Sequence, residues 1–458
     1  MKTKQKIHKY INLWQKFTSG SINRQIFGAV VVVGLLTGLV KLVSVGKELV
    51  VAWRFGTGDE LDAFLIALVV PAFIINVVSG SLKVALIPTY IKVKEQQGME
   101  AAQKLLSGSI TGAVGLLALI TAVTVTAVPW YLPALASGFT PKKLELTTHL
   151  LWAISPLIML FGIVNIWGAV LNAGERFALA AFSPVTAPIA TVILLLAFPT
   201  WGTFALAGGL ILGGFTEIIV LGIGLRKQKI NLLPRWSGFD SNLREVAHQY
   251  LPVTTGAFLM CSTNLVDQSM AAMLSPGSVS ALAYANQVIA LPLTLATLAL
   301  GTAVIPYLSK TIAQKDWQKV KHTFKYYLKL IFTASIPLTI LLIFASKLIV
   351  QILFERGSFT ATDTELVSQI QIFYALQIPF YVSAIFVVRI VNSLGINYLL
   401  VWGSSINLLV NIVANYVFMQ WFGIKGIALS TSCVYLISFV FVYTLTNKHL
   451  RKISQENE

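Results

Sequence analysis

The chain is 458 residues long, 56% apolar and only 11% charged, against roughly 45–50% apolar and about 25% charged in an ordinary soluble domain. That composition excludes a soluble globular protein. Thirty-four basic against eighteen acidic residues leave a net charge of +16, and in so apolar a chain these charges belong at helix ends and in short connections against membrane lipid, not on a nucleic-acid-binding face.

Residues 1–25 read as a cytoplasmic segment in which Ile7, Tyr10, Ile11, Trp14 and Phe17 share one helical stripe with lysines opposite, the pattern of a helix lying in the membrane interface. Apolar runs of the roughly 20 residues needed to cross a hydrocarbon core about 30 Å thick then follow one another. They fall at 26–46, 61–88, 105–130, 147–171, 178–199, 203–225, 249–274, 279–307, 326–352, 367–392, 397–421 and 425–446, which predicts twelve spans. The first contains Lys41, with Lys47 one residue beyond it, and eleven more follow it, so it is not a cleaved signal peptide. Between spans eight and nine, residues 313–328 place Trp317, Val320, Phe324 and Leu328 on one face and read as a cytoplasmic surface helix.

Basic residues crowd into alternate connections: the N-terminal tail, Lys92 to Lys104, Arg176, Arg226 to Arg244, Lys310 to Lys325, and the tail 447–458. The opposite connections hold little beyond Arg54, Lys142, Lys143, Arg356 and Lys425. By the positive-inside rule both termini are cytoplasmic, as an even number of spans requires.

VALIPTYIK, ending at Lys92, recurs as TAVIPYLSK, ending at Lys310. Phe139-Thr140 pairs with Phe359-Thr360, and Asn172 with Asn392, at nearly the same offset. The repeat predicts two pseudo-symmetric six-helix lobes, 26–225 and 249–446, joined by a cytoplasmic linker at 226–248 and enclosing a central cavity. The architecture is that of a transporter. Connections are short, no nucleotide-binding or HExxH pattern is present, and no nucleophile/base or metal constellation appears, so an enzyme is not expected. Cys261 and Cys433 lie far apart inside apolar runs, which supports neither a disulfide framework nor a Cys/His metal site.

Charges at membrane depth are costly, something like 2.5–3.5 kcal/mol each on insertion scales, and therefore face an aqueous cavity or a partner. Such residues are Lys41, Lys47, Glu48, Asp62, Lys83, Glu217, Asp267 and Arg389. Lys41, Lys47, Lys83 and Arg389 would make an inward-facing cationic surface suited to a diphosphate, although Lys83 and Arg389 also fit cytoplasmic-end snorkelling. In span eleven Asn407, Asn411 and Asn415 recur every four residues and line one face. Asp267, Asn411, Asn415 and Thr431 are hard oxygen donors suited to an alkali cation; hydrogen-bond glue between helices is the alternative. Prolines 71, 156, 184, 188, 252, 292, 337 and 379 lie inside spans, where they allow bends.

The stretch KELVVAWRFGTGDELDAFLIALVVP … GSLKVALIP, from Lys47 to Pro88, resembles the start of the MurJ/MviN lipid II flippases of the multidrug/oligosaccharidyl-lipid/polysaccharide (MOP) exporter superfamily. YANQVIALP … LGTAVIPYLSK, LFERGSFTATDT and NIVANYVFMQWFGIKGIALST follow in the family's order, so the resemblance covers about 25–446. It implies translocation of a polyprenyl-diphosphate-linked glycan, foremost peptidoglycan lipid II, across the bacterial cytoplasmic membrane by alternating access. It implies substrate contacts at Lys41, Lys47, Glu48, Asp62 and Arg389, to which the membrane-depth Lys83 and Gln287, at a family arginine position, are added as expected substrate contacts. A sodium site would comprise Asp267, Asn411, Asn415, Thr431 and the carbonyl of Ile427, with Na+ or H+ as coupling ion.

The chain also departs from the family. Residues 72–79 carry no arginine, Gln287 stands at an arginine position and Ala290 replaces a nearby acid, while the family typically adds two further spans. Alternatives are a flippase for another polyprenyl-linked polysaccharide unit, a cation-coupled multidrug antiporter, or a membrane scaffold that recruits cell-envelope biosynthesis proteins.

Overall fold

A computed structural model of the protein describes residues 22–456 except 175, 229, 231–235, 237, 305–307, 309, 310, 313, 315 and 397. The described residues form helices and turns, with no strand among them. In chain order the helices are α1 Ile22–Phe55, α2 Asp59–Gln97, α3 Met99–Thr126, α4 Val128–Leu135, α5 Pro141–Ile154, α6 Pro156–Ala173, α7 Phe177–Ala197 and α8 Thr203–Lys227. The second half holds α9 Ser241–Ala272, α10 Ser278–Ala299, α11 Trp317–Phe344, α12 Ser346–Phe354, α13 Ala361–Ala375, α14 Ile378–Leu394, α15 Tyr398–Phe422 and α16 Ile424–Glu456.

Among the described residues each apolar run read from the sequence falls largely on helix. However, nine helices among the described residues are long and apolar enough to cross a membrane, or ten when α13 and α14, bent by 42°, count as one. The fourth run is divided where Pro156, at the first helical position of α6, cannot donate to the preceding turn. The amphipathic N-terminal stripe lies outside the described residues. Residues 317–328 do not form a separate surface helix. They open α11, and Val320, Phe324 and Leu328 are buried in the protein core, so the apolar face is covered by α14 and α16 rather than lipid. The linker is shorter than expected: α8 runs to Lys227, and α9 begins at Ser241, where the Asp240 carboxylate accepts the Leu243 N–H at 2.9 Å.

The repeated landmarks have structural meaning. Thr140 and Thr360 cap α5 and α13, each preceded by a buried phenylalanine, and Thr360 forms a full capping box with Asp363. Pro306 falls outside the described residues. α2 contains a π-helical turn at Ile75–Ser79 following Pro71, and α10 runs into another at Leu300–Val304. Asn76 Nδ2 donates to the Ala72 carbonyl at 2.8 Å, satisfying a group near the disrupted ladder.

Most helix contacts lie within α1 to α8 or within α9 to α16. α1 to α8 pack on one another, with α7 on α8, α6 on α8 and α1 on α7; α9 packs on α15, α15 on α16, and α10 on α13. The seam between the halves is α2 laid along α9 and touching α10, with α1 touching α12. Thus the helices that carry most of the predicted polar residues border the seam.

Candidate functional site

At one end of the seam the halves are clasped. Asp62, 1% exposed in the first turn of α2, accepts N–H bonds from Gly277 at 2.7 Å and Ser280 at 2.8 Å, so it caps α10 from the opposite half. Lys143 from α5 lies 3.0 Å from the same carboxylate, also binds Asp59, and stands 4.0 Å above the Phe139 ring. The Thr57 hydroxyl bonds Asp363 of α13, and Ser358 N–H donates to the Trp53 carbonyl at 2.8 Å. Gly56, at φ 54°, lies against the Ser358 carbonyl so closely that a Cβ would collide with it.

The opposite, basic end is joined differently. Lys92 pairs with Glu245 at 3.0 Å, Lys104 lies 3.8 Å from Asp240, and Gln97 and Asn242 exchange amide hydrogen bonds. The two lysines are half-exposed and their acidic partners about one-third exposed, and surface pairs of this kind contribute only about 0–1 kcal/mol.

Between α1, α2, α7, α8 and α10 lies a cavity of about 230 Å³. Its polar lining includes Lys47 and Glu48, which pair at 2.5 Å, together with Gln287, Ser280 and Thr191. The buried Tyr284 ring also borders it, packed against Phe354 and Phe359 at centroid separations of 5.1 and 5.4 Å. Of the predicted substrate residues, then, the structure gathers Lys47, Glu48 and Gln287. Asp62 is not in that lining, because its oxygens are occupied by the clasp. Lys41, Lys83 and Arg389 are exposed on α1, α2 and α14, and among the described residues none of them has an ion pair. Lys143 was legible only as a loop cation; its signal is the Asp59/Asp62 pair three residues apart at the start of α2.

The predicted ion residues do converge. Asp267 of α9, 9% exposed, accepts through Oδ1 from Asn411 Nδ2 at 2.8 Å and Asn415 Nδ2 at 2.7 Å. The Thr431 hydroxyl donates to the Ile427 carbonyl at 3.1 Å. Asn407 sits on the same face but donates to Ser438 Oγ at 3.1 Å, so it ties α15 to α16. A polar pocket of about 150 Å³ adjoins Asp267, Asn411 and Thr431. Asn411 Oδ1 and Asn415 Oδ1 are both buried without a partner. A half-turn of each amide would present those oxygens to the carboxylate, an arrangement favoured only by a cation between them. The donor set is all oxygen and fits an alkali ion. Among the described residues no group of three or more His, Cys, Asp and Glu forms a metal centre. Glu217 on α8 is a separate buried acid, accepting from the Ser183 hydroxyl at 2.8 Å.

Residues 51–457 match the family described as Lipid II flippase MurJ. The chain is 25% identical over 451 residues to a probable lipid II flippase MurJ of Synechocystis sp., covering 95% of this chain and 84% of that one. It is also 25% identical over 426 residues to the lipid II flippase MurJ of Burkholderia cenocepacia, covering 88% and 80%. A solved lipid II flippase MurJ in an inward closed conformation superposes with a TM-score of 0.79 at 23% identity, over 93% of this chain and 90% of that one. An inward-facing multidrug resistance MATE family transporter of the MOP superfamily superposes at 0.77 with 12% identity, over 93% and 99%.

Proposed function

The chain belongs to the lipid II flippase MurJ family, and from that premise we propose that it carries a polyprenyl-diphosphate-linked glycan, foremost peptidoglycan lipid II, across the bacterial cytoplasmic membrane by alternating access. The observation that carries this reading beyond family membership is Lys47 on the wall of a cavity between the two halves. A diphosphate entering there meets an ammonium already positioned by Glu48, and Lys41, Lys83 and Arg389 supply further cations along the route. Lysine engages such a group as a point charge rather than a bidentate fork. The tail would remain in the bilayer alongside α1, which packs chiefly on α7.

By the positive-inside rule the basic end is cytoplasmic and the Asp62 clasp faces outward, with both termini inside. Outward opening must then break the clasp, while inward opening parts the weak exposed pairs at the other end. Asp267, Asn411, Asn415, Thr431 and the Ile427 carbonyl would hold a sodium ion, with a proton on Asp267 as the alternative. A bound cation supplies charge: each elementary charge moved across 100 mV yields about 2.3 kcal/mol.

A multidrug antiporter shares the fold, but Lys47 would repel the cationic drugs such a carrier exports. The test is complementation of a strain depleted of its lipid II flippase, coupled to an assay of lipid II accessible at the outer face. Wild type is expected to rescue growth and expose lipid II, and Lys47→Ala to do neither while being expressed and inserted normally. Rescue by both Lys41→Ala and Lys47→Ala would sink the cationic-cavity reading. Failure of well-inserted wild type would redirect it to another polyprenyl-linked glycan.

A further inference from the structure

α10 borders two compartments. Ser280, Ala283 and Gln287 line the lysine cavity, whereas Asn286, Ala290, Thr294, Thr297 and Gly301, spaced three or four residues apart, line a second cavity of about 660 Å³ further along the helix and its π-helical extension, on a neighbouring face. That volume lies within the roughly 300–1,000 Å³ of small-molecule sites. Its wall across from α10 is Gln377, Tyr381 and Tyr435.

The lining contains no charged side chain, which leaves a phosphate without a cation and a cation without a carboxylate. Beside the apolar Leu293 and Leu298 it offers several hydrogen-bonding groups. Gln377 is 3% exposed and its Nε2 has no partner. Thr294 and Thr297 donate back to the Ala290 and Leu293 carbonyls at 2.7 and 2.8 Å, so their hydroxyl oxygens remain as acceptors. Tyr381 and Tyr435 meet edge to face at 4.9 Å. An isoprenoid tail in this cavity would leave the buried Gln377 donor unsatisfied. Carboxamides, hydroxyl oxygens and aromatic rings instead match the polar rim and apolar faces of a sugar ring.

We propose that this cavity is a subsite for the uncharged sugar of the transported headgroup, distinct from the cationic subsite at Lys47. The inference rests on the flippase reading and adds to it a division of labour along α10. Asn286, Gln377 and Tyr435 also line the pocket beside Asp267, which places sugar and cation on opposite sides of one wall.

The test uses the full-length protein in lipid nanodiscs, with two soluble probes titrated separately: N,N′-diacetylchitobiose, an uncharged disaccharide, and inorganic pyrophosphate. Saturable chitobiose binding is expected, weakened at least tenfold by Gln377→Ala and by Asn286→Ala and unchanged by Lys47→Ala, which should lose pyrophosphate binding instead. Because Gln377 is buried, Thr294→Val provides a volume-conserving second variant, expected to weaken chitobiose several-fold with an unchanged unfolding temperature. Wild type that binds pyrophosphate but not chitobiose overturns the subsite and leaves the flippase reading standing. Chitobiose binding that survives all three wall substitutions also overturns it. Wall-dependent chitobiose binding without pyrophosphate binding supports the subsite and counts against the diphosphate reading.

Discussion

Two buried aspartates, one in each half, occupy opposite hydrogen-bonding situations. Asp62 receives two backbone N–H bonds and a lysine ammonium, so its charge is fully compensated without any ligand. Asp267 receives neutral donors and no cation, and the two amides that bond it have their own oxygens buried and unpaired. Burial alone therefore does not distinguish a structural carboxylate from a ligand-binding one; the unsatisfied atoms around it do. Asp62 is built to hold the halves together at one end, and Asp267 to receive something the chain does not supply.

The largest effect is expected from breaking the satisfied member. Asp62→Ala removes one partner of a buried ion pair, which costs about 3–5 kcal/mol, and the loss falls on the clasped state because Gly277 and Ser280 belong to the other half. Spin labels on the turn after α3 and the loop before α13 should report a wide distance distribution in the variant and a narrow one in wild type. Unchanged distributions would show that the α2–α9 seam, not Asp62, closes that end. Lys143→Met should act in the same direction but less, about 2 kcal/mol on the scale of hydrogen bonds to charged groups. Asp62 keeps its two amide donors in that variant, and Asp59 is exposed enough for water to replace the ammonium. If Lys143→Met proved the more damaging of the two, the backbone caps would be secondary and the buried cation the true keystone.

The difference between these aspartates also explains what could be read in advance. Asn411 and Asn415 share a register with an apolar helix around them, so their convergence on an interior face followed from helical periodicity, and hard-donor chemistry pointed to Asp267. Asn407 obeyed the same register yet bonds Ser438, because periodicity identifies a face but not the neighbour that meets it. Asp62 carried no comparable signal. Its partners at the start of α10 are main-chain groups more than two hundred residues away in sequence, which side-chain pattern does not encode, so the sequence alone groups it with Lys47 and Glu48 as a substrate contact. The stripe of Val320, Phe324 and Leu328 was recognised as apolar, but amphipathicity cannot tell a lipid surface from the flank of a neighbouring helix. The alternating basic connections and long apolar runs, by contrast, made the polytopic all-α class evident, since only helices satisfy their own backbone in hydrocarbon.

The smallest expected effect is the one that tests the unsatisfied member. A cation that binds the folded protein stabilises it by RT ln(1 + [L]/Kd), about 1.4 kcal/mol when sodium is at ten times its Kd. Replacing choline by sodium should therefore raise the unfolding temperature of wild type by a few degrees at most. Asp267→Asn should abolish the rise while leaving the choline baseline nearly unchanged, because an amide replaces a carboxylate that had no cation beside it. Asn415→Leu removes one oxygen donor but keeps the charge, and should weaken the sodium response without eliminating it. Asp62→Asn is the internal control: it should lower the baseline yet retain the full sodium increment, since its three donors lie in the clasp and none belongs to the α15 face. Equal sodium increments in the Asp267 and Asp62 variants would mean that sodium acts elsewhere, and the orphaned oxygens of Asn411 and Asn415 would then be packing defects tolerated by a rigid interior rather than ligands awaiting an ion.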